Sequence, residues 1–163
     1  MNNRYAPPGT KVSDPEAHAG KFAYAGFWLR FAAMLIDSVL LAMITTPLLL
    51  WIYGTEYYLA ESELGSFQLV HGPADVLISY VFPAIATVLF WRYRQATPGK
   101  MLLSLKIVDA PTGSPPSGKQ AWIRWFGYIP STLFLCLGFL WIAFDPRKQA
   151  WHDKLADTVV IRK

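Results

Sequence analysis

From residue 31 to residue 91 the chain carries no lysine and no arginine, and its only acids there are Asp37, Glu56, Glu61, Glu63 and Asp75. A water-facing surface does not go that far without a base, whereas hydrocarbon excludes ionised side chains at a cost of about 3 kcal/mol each or more. Within this stretch, residues 31–53 give 23 positions with one charge, Asp37. At ~1.5 Å per residue they cross a ~30 Å hydrocarbon core with some tilt. Aromatic residues bracket the block, with Phe22, Tyr24, Phe27 and Trp28 before it and Trp51, Tyr53, Tyr57 and Tyr58 at its end. Rings with an apolar body and a polar tip belong at a membrane interface.

A second apolar block, residues 74–91, is 18 residues long, with Asp75 near its start and Pro83 in its middle. Pro83 is expected to free a carbonyl and kink the helix, which Ser79 or a neighbouring helix can tolerate by satisfying the backbone. Between the two blocks lie only acids, whereas Arg92, Arg94, Lys100, Lys106, Lys119 and Arg124 follow the second. The positive-inside rule therefore places the N-terminus and the 92–124 segment in the cytoplasm and the acidic 54–73 segment outside.

The third block, residues 125–144, is 20 residues long and poses a conflict. A full crossing would put Arg147, Lys148, Lys154, Arg162 and Lys163 on the outside. Gly127 and Pro130 divide the block, and two arms of about ten residues would each reach ~15 Å, half the core. A re-entrant or broken hairpin is the favoured reading, with an ordinary third span as the alternative. Residues 103–109 and 158–161 are rich in Val, Ile and Leu and read as strands. If they pair, the C-terminus returns to the cytoplasm. The PTGSPPSG run at 111–118 reads as the loop closing that element. The expected fold class is thus an all-α integral membrane domain over residues 22–163, with a small cytoplasmic β element. Residues 1–21, poor in aliphatic side chains, are expected to form a disordered cytoplasmic tail, and they lack the compact apolar core of a signal peptide.

The hydrophobic share of 53% exceeds the globular norm of about 45–50%, and the net charge of +4 sits beside apolar blocks rather than in one basic patch. Nucleic-acid binding is not expected. Cys136 is the only cysteine, which excludes an internal disulfide and a thiolate cage; between Leu135 and Leu137 it reads as a small buried hydrophobe. His18, His71 and His152 fall on both sides of the membrane in this topology, so no shared metal site is expected, and Ser131 and Thr132 are expected to bond backbone carbonyls. Gly113 to Lys119 matches the start of a phosphate-binding loop, but Gln120 replaces the Ser or Thr that would hold magnesium, and Pro115 and Pro116 remove donors. Neither an enzyme nor a cofactor is expected.

The residues that could carry chemistry are charges near the membrane. Arg30 and Asp37 are seven apart, on one helix face and ~10 Å apart along the axis. Arg30 could snorkel at the cytoplasmic edge. Asp37 lies two turns deeper and requires a protein or water partner. Asp153, preceded by His152, is a plausible partner for Arg30 if the C-terminus is cytoplasmic.

The segments Gly26-Phe-Trp-Leu-Arg30-Phe-Ala-Ala-Met-Leu-Ile-Asp37, Thr97-Pro-Gly-Lys100-Met-Leu-Leu, Lys106-Ile-Val-Asp109 and Trp151-His-Asp153-Lys-Leu-Ala-Asp-Thr-Val-Val160 resemble the RDD family of membrane proteins. The resemblance extends from residue 22 to the end and implies that Arg30, Asp37 and Asp153 are the name-giving arginine and aspartates. Asp157 departs from it, standing where a glycine is expected. The resemblance implies a bacterial inner-membrane location and transport of an unidentified ligand. Asp37 facing a polar seam suits an ion or small solute, with Arg30 and Asp153 completing a charge network, and because two or three spans cannot enclose a pathway alone, this reading requires a homo-oligomer. The alternative is a non-transporting scaffold or partner-binding module in which the same charges are structural.

Overall fold

The computed structural model describes residues 23–55, 70–134 and 136–163. The expected N-terminal tail, the loop acids Glu56, Glu61 and Glu63, and the interface residues Phe22, Tyr57 and Tyr58 lie outside the described residues.

Helix α1, Phe27–Tyr53, begins one turn before the apolar block, after Gly26 in extended conformation. Only Arg30, Ala33 and Leu49 are buried along its 27 residues, while Trp28, Met43 and Trp51 are at least two-thirds exposed. A helix that is apolar all round, with so little of it covered by protein, is suited to lipid rather than water as its solvent. The second apolar block forms a run of three pieces: α2, Pro73–Asp75, a π-helical stretch, Val76–Val81, and α3, Phe82–Arg94. Instead of a simple kink, Pro83 follows a widened turn, whose i→i+5 spacing relieves the clash between the ring and the preceding carbonyls. Ser79 takes no part in that repair: its hydroxyl donates to Asp75 Oδ1 at 2.7 Å. These two helical runs are long and apolar enough to cross a membrane.

At the end of α3 the chain turns through left-handed Gln95, φ 59°, into α4, Pro98–Leu102, and then β1, Leu105–Asp109. Strand β2, Thr158–Arg162, pairs antiparallel with β1, Leu105 opposite Arg162 and Asp109 opposite Thr158. The far edge of β2 is also occupied, because the amide of Ala25 donates to the Val160 carbonyl at 2.9 Å and that of Arg162 to the Ala23 carbonyl at 2.7 Å. The two expected strands therefore pair, and the lead-in to α1 joins them.

The loop after β1 does not close the pair as expected. It leads into α5, Gly118–Leu133, where Ser117 and Gln120 form a reciprocal capping box and Gln120 Nε2 donates to Asp109 Oδ1 at 2.5 Å. Gln120, at the magnesium position of a phosphate loop, is thus used as a helix cap. The whole segment from α5 to α7 separates the two strands.

Helix α5 continues through both Gly127 and Pro130. The break comes later, before α6, Leu137–Leu140, and its 3-10 extension Trp141–Ala143, which lie at 110° to α5. Pro130 removes one backbone donor without ending the helix, and the reversal is made at Cys136, φ 59°. Cys136 is consequently exposed rather than buried. Ser131 and Thr132 donate to the carbonyls of Gly127 and Tyr128 at 2.7 and 2.8 Å, as expected. Helix α7, Trp151–Leu155, then leads back to β2, so the α5 to α7 excursion leaves and returns at one sheet.

The core lies at this junction rather than along the helices: Ala25, Ala33, Val88, Trp91, Leu105, Ile107, Ala121 and Val160 form one buried cluster. It fixes the start of α1, the end of α3, the sheet and the start of α5 in one block.

Candidate functional site

Arg30 lies one turn into α1, and its buried guanidinium is fully engaged. Its Nε donates to the Ala25 carbonyl at 2.9 Å, Nη2 to the Lys148 carbonyl at 2.5 Å, and Nη1 to the Asp153 carboxylate. It does not snorkel. Asp153 is fully buried and sits at the third position of α7, where its Oδ2 also accepts the Ala150 amide at 3.0 Å. Its other oxygen faces Arg124 Nη1 at 2.5 Å, and the same nitrogen donates to Thr158 Oγ1 at 2.7 Å. Arg124 is 1% exposed. One carboxylate thus holds two guanidinium groups and links α1, α5, α7 and β2.

Asp37 stands outside this set of contacts. Its Oδ2 accepts the Thr97 hydroxyl at 2.5 Å and its Oδ1 the Gly99 amide at 2.6 Å. The carboxylate therefore caps the first turn of α4 from a neighbouring helix, supplying the acceptors that Thr97, as N-cap, does not. Arg30 and Asp37 share a helix face but not a partner.

Burial alone would favour the neutral form of Asp153, but Arg124 and Arg30 outweigh it and hold the carboxyl well below the usual range. Burial pushes His152 well below its ordinary value, and Arg124, Lys100 and Arg30 add to that, against Asp153 alone. His152 is stacked on Tyr128 at 4.1 Å, and Tyr128 on Trp91 at 5.7 Å. Gly127 permits this packing, since a Cβ there would lie 2.9 Å from His152 Cβ.

A cavity of about 710 Å³ opens among α1, α3, α4 and α5. Its charged lining is Arg30, Asp37, Lys100 and Arg124, and most of the remainder is aliphatic or aromatic. At the other end of α1, about 35 Å away for a helix of this length, the Asp75 amide donates to Tyr53 Oη at 3.1 Å and Asp75 Oδ2 accepts the His71 amide at 2.9 Å. His71 and His152 are thus at opposite ends of the helix bundle.

Sequence reasoning counted Arg124 only among loop bases, and met Thr97 to Lys100 as a family-like segment without assigning it a contact. One available signal was position: Arg124 immediately precedes the apolar block at Trp125, as Arg30 precedes Phe31. No sequence signal marks the pairing of Asp37 with a turn 60 residues away.

The model of the RDD family matches residues 24–157. An uncharacterized protein of Rickettsia prowazekii (strain Madrid E), RP437, is 29% identical, over 85% of this chain and 96% of its own. The uncharacterized protein YxaI of Bacillus subtilis (strain 168) is 32% identical, over 85% of this chain and 97% of its own. The uncharacterized membrane protein YteJ of the same organism is 30% identical, over 91% and 87%. No solved structure matches the chain. With Arg30, Asp37 and Asp153 all inside the matched residues, this chain belongs to the RDD family of membrane proteins.

Proposed function

We propose that the chain is a non-transporting module of the bacterial inner membrane, in which the buried charges lock a cytoplasmic cap onto the membrane helices and the adjoining cavity serves binding rather than flux. The observation that carries this reading is how the name-giving residues are engaged: every nitrogen of Arg30 has a protein acceptor, both oxygens of Asp37 have protein donors, and Asp153 accepts through Oδ2 while its Oδ1 faces Arg124 as an ion pair. A carboxylate engaged in this way is a structural cap first. Buried ion pairs of this kind serve to specify one arrangement of helices more than to add stability over an apolar core.

In this reading α1 and the α2 to α3 run cross the bilayer, and the α5 to α6 excursion dips in and returns. The N-terminus, the sheet and the C-terminus are cytoplasmic, following the distribution of lysine and arginine. No bond-making chemistry is assigned.

One observation favours transport instead: Asp37 and Arg30 both line the cavity. Two or three spans cannot enclose a pathway alone, so that reading requires a homo-oligomer. Sealed vesicles containing the purified chain, loaded with a pH-sensitive dye, decide between the two. Under a sodium, potassium or proton gradient, dissipation at the protein-free rate is expected. Flux in the wild type that folded Asp37→Asn lacks would overturn the module reading.

A further inference from the structure

Three hydrogen-bond donors around the cavity have no acceptor among the described residues. Lys100 is 8% exposed and lines the cavity; its Nζ lies 5.6 Å from the centroid of the Trp91 ring, and no protein oxygen accepts from it. Arg124 Nε and Trp91 Nε1, on two other residues of the cavity lining, are buried and equally without acceptors. Buried polar groups are nearly always paired, so the two buried orphans Arg124 Nε and Trp91 Nε1, with the Lys100 ammonium on the same lining, point to a missing acceptor; the remaining orphan of this network, the acceptor Asp153 Oδ1, lies off the lining against Arg124 Nη1. Charge leads to the same conclusion. Arg30 and Arg124 are matched in charge by Asp37 and the buried Asp153, so Lys100 is the basic group of the cavity that no carboxylate is left to balance, and an anion beside it would favour its protonated form.

Most of the rest of the lining is apolar, including Phe31, Met34, Leu41, Ile44, Phe82 and Phe90. A free inorganic anion would satisfy the donors but leave that surface unused. At about 710 Å³ the space falls within the ~300–1,000 Å³ usual for ligand sites. Lysine is a compact charge with three donors, suited to phosphate oxygens. Basic pockets between membrane helices on the cytoplasmic side are where anionic headgroups are held.

We infer that the cavity binds one anionic phospholipid of the cytoplasmic leaflet, its phosphate at Lys100, Arg124 Nε and Trp91 Nε1 and an acyl chain along α1 and α3. This rests on the binding-module reading and names its ligand class. Asp37 then has an added role: by capping α4 it places Lys100, three residues after Thr97, at the cavity wall.

The test uses the full-length chain in detergent, stripped of lipid and titrated with dioleoyl phosphatidylglycerol, dioleoyl phosphatidylcholine or sodium phosphate. Native mass spectrometry reads lipid bound per chain, and thermal unfolding reads the shift. One phosphatidylglycerol per chain is expected, bound at least tenfold more tightly than phosphatidylcholine, with no shift from phosphate. Lys100→Gln should lose that tenfold preference. Trp91→Phe, which keeps the ring and removes one donor, should lose about threefold, and it serves if Lys100→Gln does not fold. Equal binding of the two lipids, or a preference unchanged in both variants, would overturn the inference. An equal shift from phosphate alone would assign the site to a free anion instead. Ion flux in the vesicle assay would overturn the module reading without touching the lipid preference, so the two failures are distinguishable.

Discussion

The Gly99 amide donates to Asp37 Oδ1 at 2.6 Å, and no side chain fits between the two helices at that point. A Cβ on Gly99 would fall on the Ala33 carbonyl and come within 3.0 Å of the Asp37 carboxyl. Gly99→Ala must therefore push α4 off α1 and break both Asp37 contacts. A loss of about 2–3 kcal/mol is expected, read as a lower unfolding midpoint in detergent. Asp37→Asn keeps one acceptor and should cost about 1–2 kcal/mol. A neutral Gly99→Ala would mean that α4 is not seated on α1.

Asp157 has φ 48° and stands where relatives were expected to carry glycine. The left-handed region costs a residue with a Cβ about 1 kcal/mol, less for Asp than for most, and glycine nothing. Asp157→Gly should raise the unfolding midpoint by about 1–3 °C. A fall would show that the Asp157 side chain contributes more than its backbone strain costs.

The depressed His152 and Asp153 values set an acid dependence. In each case the unfolded chain takes up the proton before the folded one, so stability rises with pH where they differ. For His152 the contribution is complete above 6.5 and is lost as pH falls from there toward the lower folded value. For Asp153 it is complete above 3.8 and is lost below. Unfolding midpoints measured between pH 7.5 and 5 should fall for the wild type. His152→Phe, which keeps a ring against Tyr128, should flatten that interval. An unchanged slope in the variant would assign the acid sensitivity elsewhere.

The two long apolar helices, the strand pair and the Arg30 to Asp153 contact were legible because each follows from a quantity that sequence carries: apolar length, β-branched runs, and the crowding of bases at the ends of the apolar blocks. The break in the third block was not. Gly127 and Pro130 are local breakers, but Gly127 is needed for the close approach of His152 and Pro130 sits where the helix can lose one bond, so packing decides and the turn moves to Cys136. Asp37 was legible as needing a partner but not as having one, since the resemblance marks the Thr97 to Gly99 segment without saying what it contacts. The second carboxylate-bound guanidinium, Arg124, was hidden among loop bases.

The return of β2 to the sheet beside Ala23 and Ala25 predicts that both ends of the domain share one side of the membrane. A Lys163→Cys variant in a Cys136→Ala background should resist a membrane-impermeant thiol reagent in intact cells and react after permeabilisation. Labelling of intact cells would make residues 125–144 a full span and would separate Asp153 from Arg30.

The clamp itself is best tested on Arg30 and Asp153. A charge swap is a poor probe, because an arginine at 153 would face Arg124, 2.5 Å from the present carboxylate. A double-mutant cycle of Arg30→Gln and Asp153→Asn, read as unfolding free energies in detergent at pH 7.5, isolates the pair. Each single change should cost about 3–5 kcal/mol, since it strands a buried charge. The double variant should lose less than the sum by about 1.5 kcal/mol or more. Strictly additive losses would show that the two residues do not act together, and would contradict a cap held to the membrane helices by this pair.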